Sequence, residues 1–368
     1  MGRARVNTFV LSAGGSAGHL YPAQALAGEL MRRGEKIVVM TDTRFKNYQT
    51  AFPGAAIETV PSAAFSDRTF VRLLAAPFEI AGGIVMSLIK LARIRPAAVV
   101  GFGGYPSVPV MLAAIVTRIP TAILTPDALL GRANRLVMNK VNLIAANLPL
   151  VRYVPKDLSR VVYTGNPMRP EVVALADAPY DTPTVSGPLR LLVFGGSQGA
   201  HFFSEVVPAA IALLPTDMRS RLDLVQQCRA EDIDAVETAY SASFVKAELA
   251  TFFGDLPARM AKAHLVVARS GAGTVSELAL IGRPAILVPL PHALDDNQTP
   301  NADAMANAGG GWRIRQSELT PQKLAAMLVE AFSSPDSLAQ RAQAVRSIAK
   351  ADGTTRVADA VQSLARAA

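Results

Sequence analysis

The sequence predicts two similar α/β domains, each a mostly parallel sheet with helices on both faces. Three observations carry that expectation. Gly14-Gly15-Ser16-Ala17-Gly18 and Gly195-Gly196-Ser197-Gln198-Gly199 repeat one pattern, Gly-Gly-Ser-x-Gly, half a chain apart. Each turn follows a short apolar run (residues 9–13 and 191–194) and opens a segment with helical periodicity. The length, 368 residues, exceeds the roughly 250–300 at which single cores tend to split. A strand feeding a glycine turn that feeds a helix presents backbone N–H groups and a positive dipole end to an anion. Each domain is therefore expected to hold a phosphate-bearing ligand, with chemistry in the cleft between them.

Apolar strand-like runs recur in the first half at 8–13, 36–40, 56–60, 97–101, 121–124, 141–146 and 160–164, with helical stretches between. That alternation reads as a parallel sheet buried on both faces. The pattern restarts at 189–194, 222–227, 248–253, 265–268 and 285–289. Residues 176–188, rich in Pro, Ser and Thr, read as a linker or a surface excursion. The expected division is a first domain at 1–165, a second at 166–350 and a closing helix at 351–368 that can pack on either. From Thr320 onward Ala and Leu fall at helical spacing. Residues 73–91 are mostly apolar but contain Pro77, Glu79, Gly82 and Gly83, and a spanning helix needs about 20 uninterrupted apolar residues. Two readings stand: a buried helix, or a surface helix on a membrane flanked by Arg68, Arg72, Lys90, Arg93 and Arg95.

Composition narrows the function classes. The net charge of +8 favours anionic partners. Nucleic acid is not among those expected, since no zinc-finger spacing or RNP-like aromatic run occurs. Cys228 is the lone cysteine, so no intrachain disulfide forms and a reducing compartment is expected. The first apolar run stops at Gly14, too short for a secretory signal, and Val6 breaks the myristoylation pattern after Gly2.

His19 ends the first glycine turn at the start of a helix. A neutral imidazole there can take a proton from a hydroxyl, and the helix terminus is expected to lower its pKa and keep it neutral. The alternative is a histidine capping its own loop. Ser16 stands where a dinucleotide fingerprint needs glycine, which sets Asp42 aside as a ribose ligand. Gly101-Phe102-Gly103-Gly104-Tyr105 either admits a ligand close to the backbone or makes only a tight turn. Arg269-Ser270-Gly271-Ala272-Gly273-Thr274-Val275-Ser276-Glu277 suits a diphosphate, with Glu277 able to accept both hydroxyls of a ribose. Asp295-Asp296-Asn297-Gln298 should emerge at the same edge. Asp232-Ile233-Asp234 reads as a charged helix start rather than a metal site. His201 reads as structural, and His264 and His292 lack zinc-ligand partners. No metal and no cofactor are expected.

These stretches, with Gly131-Arg132-Ala133-Asn134-Arg135 and Gly165-Asn166-Pro167-Met168-Arg169, resemble in order and spacing the MurG-type N-acetylglucosaminyltransferases of glycosyltransferase family 28, from about residue 8 onward. The resemblance implies two facing Rossmann-like domains, the glycosyltransferase B fold, and an inverting transfer from UDP-N-acetylglucosamine to an undecaprenyl-diphospho-muramoyl-peptide. By that similarity His19 is catalytic. Ser16, Ala17, Gly18, Asp127, Arg169, Ser197, Gln198, Phe253, Ala272, Gly273, Thr274, Val275, Ser276, Glu277 and Gln298 hold the nucleotide sugar. Gly14, Gly15, Gly103, Gly104 and Tyr105 meet the lipid acceptor. The family works at the cytoplasmic face of the bacterial inner membrane, which implies a peripheral protein on an anionic surface within a cell-wall synthesis complex. The chain departs from the family where His-Glu-Gln-Asn is usual: here stand Leu124, Thr125, Pro126 and Asp127. Ala17 and Gln226 likewise replace Gly and His. An anionic Asp127 beside a diphosphate is unfavourable unless paired, so it faces elsewhere or orients His19. Two alternatives stay open, a related enzyme for another sugar or acceptor and a catalytically idle nucleotide-sugar binder.

Overall fold

The computed structural model describes residues 6–14, 17–42, 48–61, 70–196 and 199–367; nothing is stated of the side chains of 17, 48–49, 70–78 and 294. Gly2, Gly15, Ser16, Arg68, Ser197 and Gln198, singled out above, lie outside it. The chain divides into two units, residues 1–170 with 350–368, and residues 171–349.

The first unit runs β1 (Thr8–Ser12), α1 (Ala17–Arg32), β2 (Lys36–Thr41), α2 (Tyr48–Ala51), β3 (Ala56–Thr59), α3 (Phe70–Ile94), β4 (Ala98–Gly101), α4 (Ser107–Val116), β5 (Thr121–Thr125), α5 (Arg132–Val137), β6 (Leu143–Ala146) and β7 (Val161–Tyr163). Among the described residues its seven strands pair in the order β3-β2-β1-β4-β5-β6-β7, all parallel. The central strands are buried along their whole length, as continuous apolar runs such as Ala98-Val99-Val100 require. Alternation then sorts the side chains. Phe9 and Leu11 face Leu26 and Leu30 of α1, whereas Val10, Val99 and Ile123 face Val110 and Met111 of α4.

After the short α6 (Pro170–Val173), the second unit runs β8 (Leu189–Phe194), α7 (His201–Ala212), α8 (Thr216–Ser220), β9 (Leu222–Gln227), α9 (Ile233–Ala242), β10 (Ala247–Ala250), α10 (Leu256–Lys262), β11 (Leu265–Ala268), α11 (Ala272–Ile281), β12 (Ala285–Leu287), α12 (Gln298–Asn307), β13 (Gly311–Arg313), α13 (Pro321–Phe332) and α14 (Pro335–Arg346). Its described strands pair in the order β10-β9-β8-β11-β12-β13, again all parallel. Strand β13 is absent from the pattern read in the sequence, because Gly311-Trp312-Arg313 is short and not apolar. It adds to the edge of β12 through tertiary pairing alone.

The chain then returns to the first unit as α15 (Gly353–Arg366). Val357, Ala358 and Val361 are fully buried beside Phe9 and Leu26. The stretch after α6 is fastened rather than loose. Arg346 donates to the Ala176 and Ala178 carbonyls, Arg283 to that of Pro179 at 2.6 Å, and Tyr180 to that of His264 at 2.8 Å.

In both sheets the first strand lies inside, so the order reverses beside β1 and beside β8. Helix-bound loops leave opposite ways at such a point and open a crevice at the carboxyl edge. That is where the glycine turns emerge.

Candidate functional site

In the first unit the Gly14 N–H donates to the Gly103 carbonyl at 3.3 Å, joining the turn before α1 to the turn before α4. His19, in the first turn of α1, is half-buried with its ring on the Gly103-Gly104 backbone. A Cβ at 103 would stand 3.1 Å from its Nε2, and one at 104 would stand 3.5 Å from its Nδ1. Both glycines are also left-handed, at φ +89° and +76°, a region that L side chains rarely adopt. The run is thus a turn that also makes room for an imidazole. Burial lowers the His19 pKa from 6.5 to about 4, so desolvation keeps the ring neutral.

Gly18 is exposed in the same helix turn, and Tyr105 is half-buried at the end of the Gly103-Gly104 loop. After β5, the Thr125 hydroxyl donates to the Leu129 carbonyl at 3.0 Å, closing the turn that carries the half-buried Asp127. Thr125, in the position of the family's carboxylate, is thereby turned inward. Arg169 lies over the ring of Tyr21, 4.6 Å from its centroid and two residues past His19 on α1. Tyr21 was not among the expected site residues; cation–π contact with an aromatic on the histidine's own helix leaves no motif in sequence.

In the second unit Gln298 connects two turns. Its Oε1 accepts from the Ser270 N–H at 3.2 Å and the Leu290 N–H at 3.0 Å, and its own carbonyl accepts from the Ser270 hydroxyl at 2.9 Å. With the oxygen so engaged, its NH₂ is the end suited to donate to a ligand. Asn301 adds a bond to the Ser270 carbonyl at 3.2 Å. Helix α11 begins at this turn. Val275 and Ala272 are buried, so they offer main chain only, and the Ser276 hydroxyl donates back to the Ala272 carbonyl at 2.7 Å. Gly273, Thr274 and Glu277 are half-buried on the same helix.

Beneath the turn, Arg269 is buried with its guanidinium 5.0 Å from the Phe203 centroid. It donates to the Val288 and Pro289 carbonyls and, at 2.6 Å, to Gln316. Desolvation lowers its pKa to about 10, so it stays a cation at pH 7.

The ring of Phe253 is buried under the Arg259 guanidinium, 4.3 Å from its centroid, and Arg259 is itself held by Glu248 and Asp255. A ligand meets its main chain more readily than its ring. Phe252 beside it is 68% exposed. His201 pairs with Asp232 at 2.7 Å, which makes the Asp232 carboxylate a partner of α7. Gln226 is buried against Tyr240 and the Phe203 carbonyl, while its neighbour Gln227 points to the loops at the strand's end.

Comparison with known proteins agrees with this layout. Residues 9–145 match the glycosyltransferase family 28 N-terminal domain and residues 190–362 the family's C-terminal domain. A protein of Methylorubrum extorquens (strain PA1), named UDP-N-acetylglucosamine–N-acetylmuramyl-(pentapeptide) pyrophosphoryl-undecaprenol N-acetylglucosamine transferase, is 49% identical over 97% of this chain and 98% of its own length. A protein of the same name from Rhodospirillum centenum (strain ATCC 51521 / SW) is 47% identical over 96% of this chain and 93% of its own. The crystal structure of Acinetobacter baumannii MurG covers 98% of this chain and 100% of its own, with a TM-score of 0.81 and 27% identity. A calicheamicin glycosyltransferase, CalG4, shares the fold at a TM-score of 0.68 and 20% identity.

Proposed function

The chain belongs to glycosyltransferase family 28, and on that premise we propose that it moves N-acetylglucosamine from UDP-N-acetylglucosamine to the 4-hydroxyl of the muramoyl sugar of undecaprenyl-diphospho-muramoyl-pentapeptide. The observation that carries this reading is likeness through both halves of the chain to relatives of that name. It is a hexosyltransferase with the glycosyltransferase B fold.

In this mechanism His19 takes the proton of the acceptor hydroxyl, whose oxygen attacks the anomeric carbon with inversion as UDP leaves. An imidazole with a pKa of about 4 is neutral and ready at pH 7 but weakly basic. A diphosphate drawn close to it favours the imidazolium and restores that basicity. The leaving diphosphate needs donors. The α11 N-terminus, the glycine turn after β8 and Arg169 supply them. One helix terminus provides only ~0.3–2 kcal/mol, so several act together. Glu277 and Gln298 hold the nucleoside, and the turns carrying Gly14, Gly103, Gly104 and Tyr105 hold the acceptor.

Among the described residues no helix is long and apolar enough to cross a membrane. We assign membrane contact to the carboxyl end of α3, where Val85, Met86 and Ile89 are 55%, 40% and 52% exposed. The spacing of these three puts them on one helix face, and the exposed Arg93 and Arg95 beyond it suit it to an anionic leaflet at the cytoplasmic side, whereas Lys90 is paired with Glu58.

The test is transfer of radiolabelled sugar from UDP-N-acetylglucosamine to the lipid acceptor. His19→Ala is expected to lower kcat by ~10²–10⁴ with donor affinity kept, and Glu277→Ala to raise the donor KM. Donor binding without transfer to any acceptor would instead mark a nucleotide-sugar-binding scaffold.

A further inference from the structure

Gln227 closes β9 and is 6% exposed, and both ends of its carboxamide are engaged. Its Oε1 accepts from the Gly195 N–H at 3.1 Å, at the root of the glycine turn that leads from β8 to α7. Its Nε2 donates to the Thr251 carbonyl at 3.1 Å, on the loop after β10 that carries Phe252 and Phe253. One partner is a donor and the other an acceptor, so a flipped amide would set like against like at both ends. The side chain therefore has one orientation.

The turn it grips needs such a tie. Gly196 and Gly199 both have left-handed backbone, at φ +89° and +68°. Glycine loses more freedom on ordering than any other residue, so an untied glycine turn resists order. A turn that must present its amides to a diphosphate binds best when already ordered. Gln298 makes the same kind of tie between Ser270 and Leu290. The loops after β8 and β10 thus have a corresponding fastener in Gln227.

We propose that Gln227 is a positioning residue for the donor: its carboxamide ties Gly195, where β8 ends, to Thr251, on the loop after β10, so that the main chain at those two points is pre-ordered for the nucleotide diphosphate. This deepens the transferase reading and rests on it. Gln227 acts through Gly195 and Thr251; it need not touch the ligand.

The full chain is compared with Gln227→Met, which keeps length but loses both bonds, and Gln227→Glu, which keeps an acceptor for Gly195 but no donor for Thr251. The readouts are KM and kcat for UDP-N-acetylglucosamine, calorimetric binding of UDP, and hydrogen exchange of the Gly195 amide. For Gln227→Met, KM and the UDP dissociation constant are expected to rise about tenfold, the scale of one or two net hydrogen bonds, with kcat within about threefold. The Gly195 amide should exchange faster in that variant. In Gln227→Glu it should stay protected while KM still rises. Parental KM in both variants overturns the proposal, even if their melting temperatures fall, because that is the signature of a purely structural residue. A loss confined to kcat overturns it as well. A parent chain that binds no UDP overturns the transferase reading together with this one, so the two failures are told apart by the parent.

Discussion

His19 shows how one residue can be foreseen in identity yet not in environment. Its place after a glycine turn is legible because chain order fixes it there. Its pKa is not, because burial is a tertiary property: the ring lies against Gly103 and Gly104, residues on another strand's loop. The sign of the consequence is clear. His19 and the buried His264 both have folded pKa values of about 4 against 6.5 when unperturbed. The unfolded chain therefore binds more protons between those values, and stability is lost as pH falls from 6.5 toward 4, by up to about 3 kcal/mol per histidine. Urea titrations at pH 7.5, 6 and 5 should show the midpoint falling mainly between the last two. Over the same series His19→Gln should lose less than the parent.

Asp127 carries a second residue-scale prediction. An anion near a diphosphate opposes binding, so Asp127→Asn should lower the donor KM severalfold at low salt and less at high salt. An unchanged KM would place that carboxylate away from the nucleotide. Phe253 was named by resemblance as a contact of the nucleotide sugar, and Gln226 as a departure from the family's histidine; in the structure the Phe253 ring lies under Arg259 and Gln226 faces the core. Strand alternation turns Gln227, one position on, toward the loops.

At the level of elements, strands and their glycine turns were legible because apolar runs four to six residues long, closed by glycine, have few other uses in a parallel sheet. The Gly103-Gly104 turn is where element and chemistry meet. Gly103→Ala would force a left-handed Ala, costing roughly 1–2 kcal/mol, and push its methyl against the imidazole. Transfer should fall at least about tenfold with donor affinity unchanged. Gly28→Ala on α1 is the control: a Cβ there meets nothing within 4 Å, so activity should hold and stability rise by about 0.5–1 kcal/mol. The linker at 176–188 was legible as a break in pattern but not as a fastened one. Its anchors, Arg283 and Arg346, come from elements more than a hundred residues later.

Across the whole molecule, the return of α15 to the first unit is the least local feature. Val361 is fully buried in that unit's core, so Val361→Asp should destabilise it by several kcal/mol, the penalty for an unpaired buried charge. Calorimetric melting should show the first unit's transition falling while that of residues 171–349 is kept; an equal fall of both would contradict the place of α15 in the first core. The sequence by itself determined two parallel-sheet halves, the glycine turns at their strand ends and the family, since these rest on periodicity and on motifs read along the chain. Only the tertiary structure decided that α15 completes the first core, that β13 extends the second sheet, that Arg169 lies over Tyr21, and that Gln227 and Arg269 tie loops of the second unit. Those assignments rest on contacts between residues far apart in the chain, and such contacts form only once burial brings the elements together.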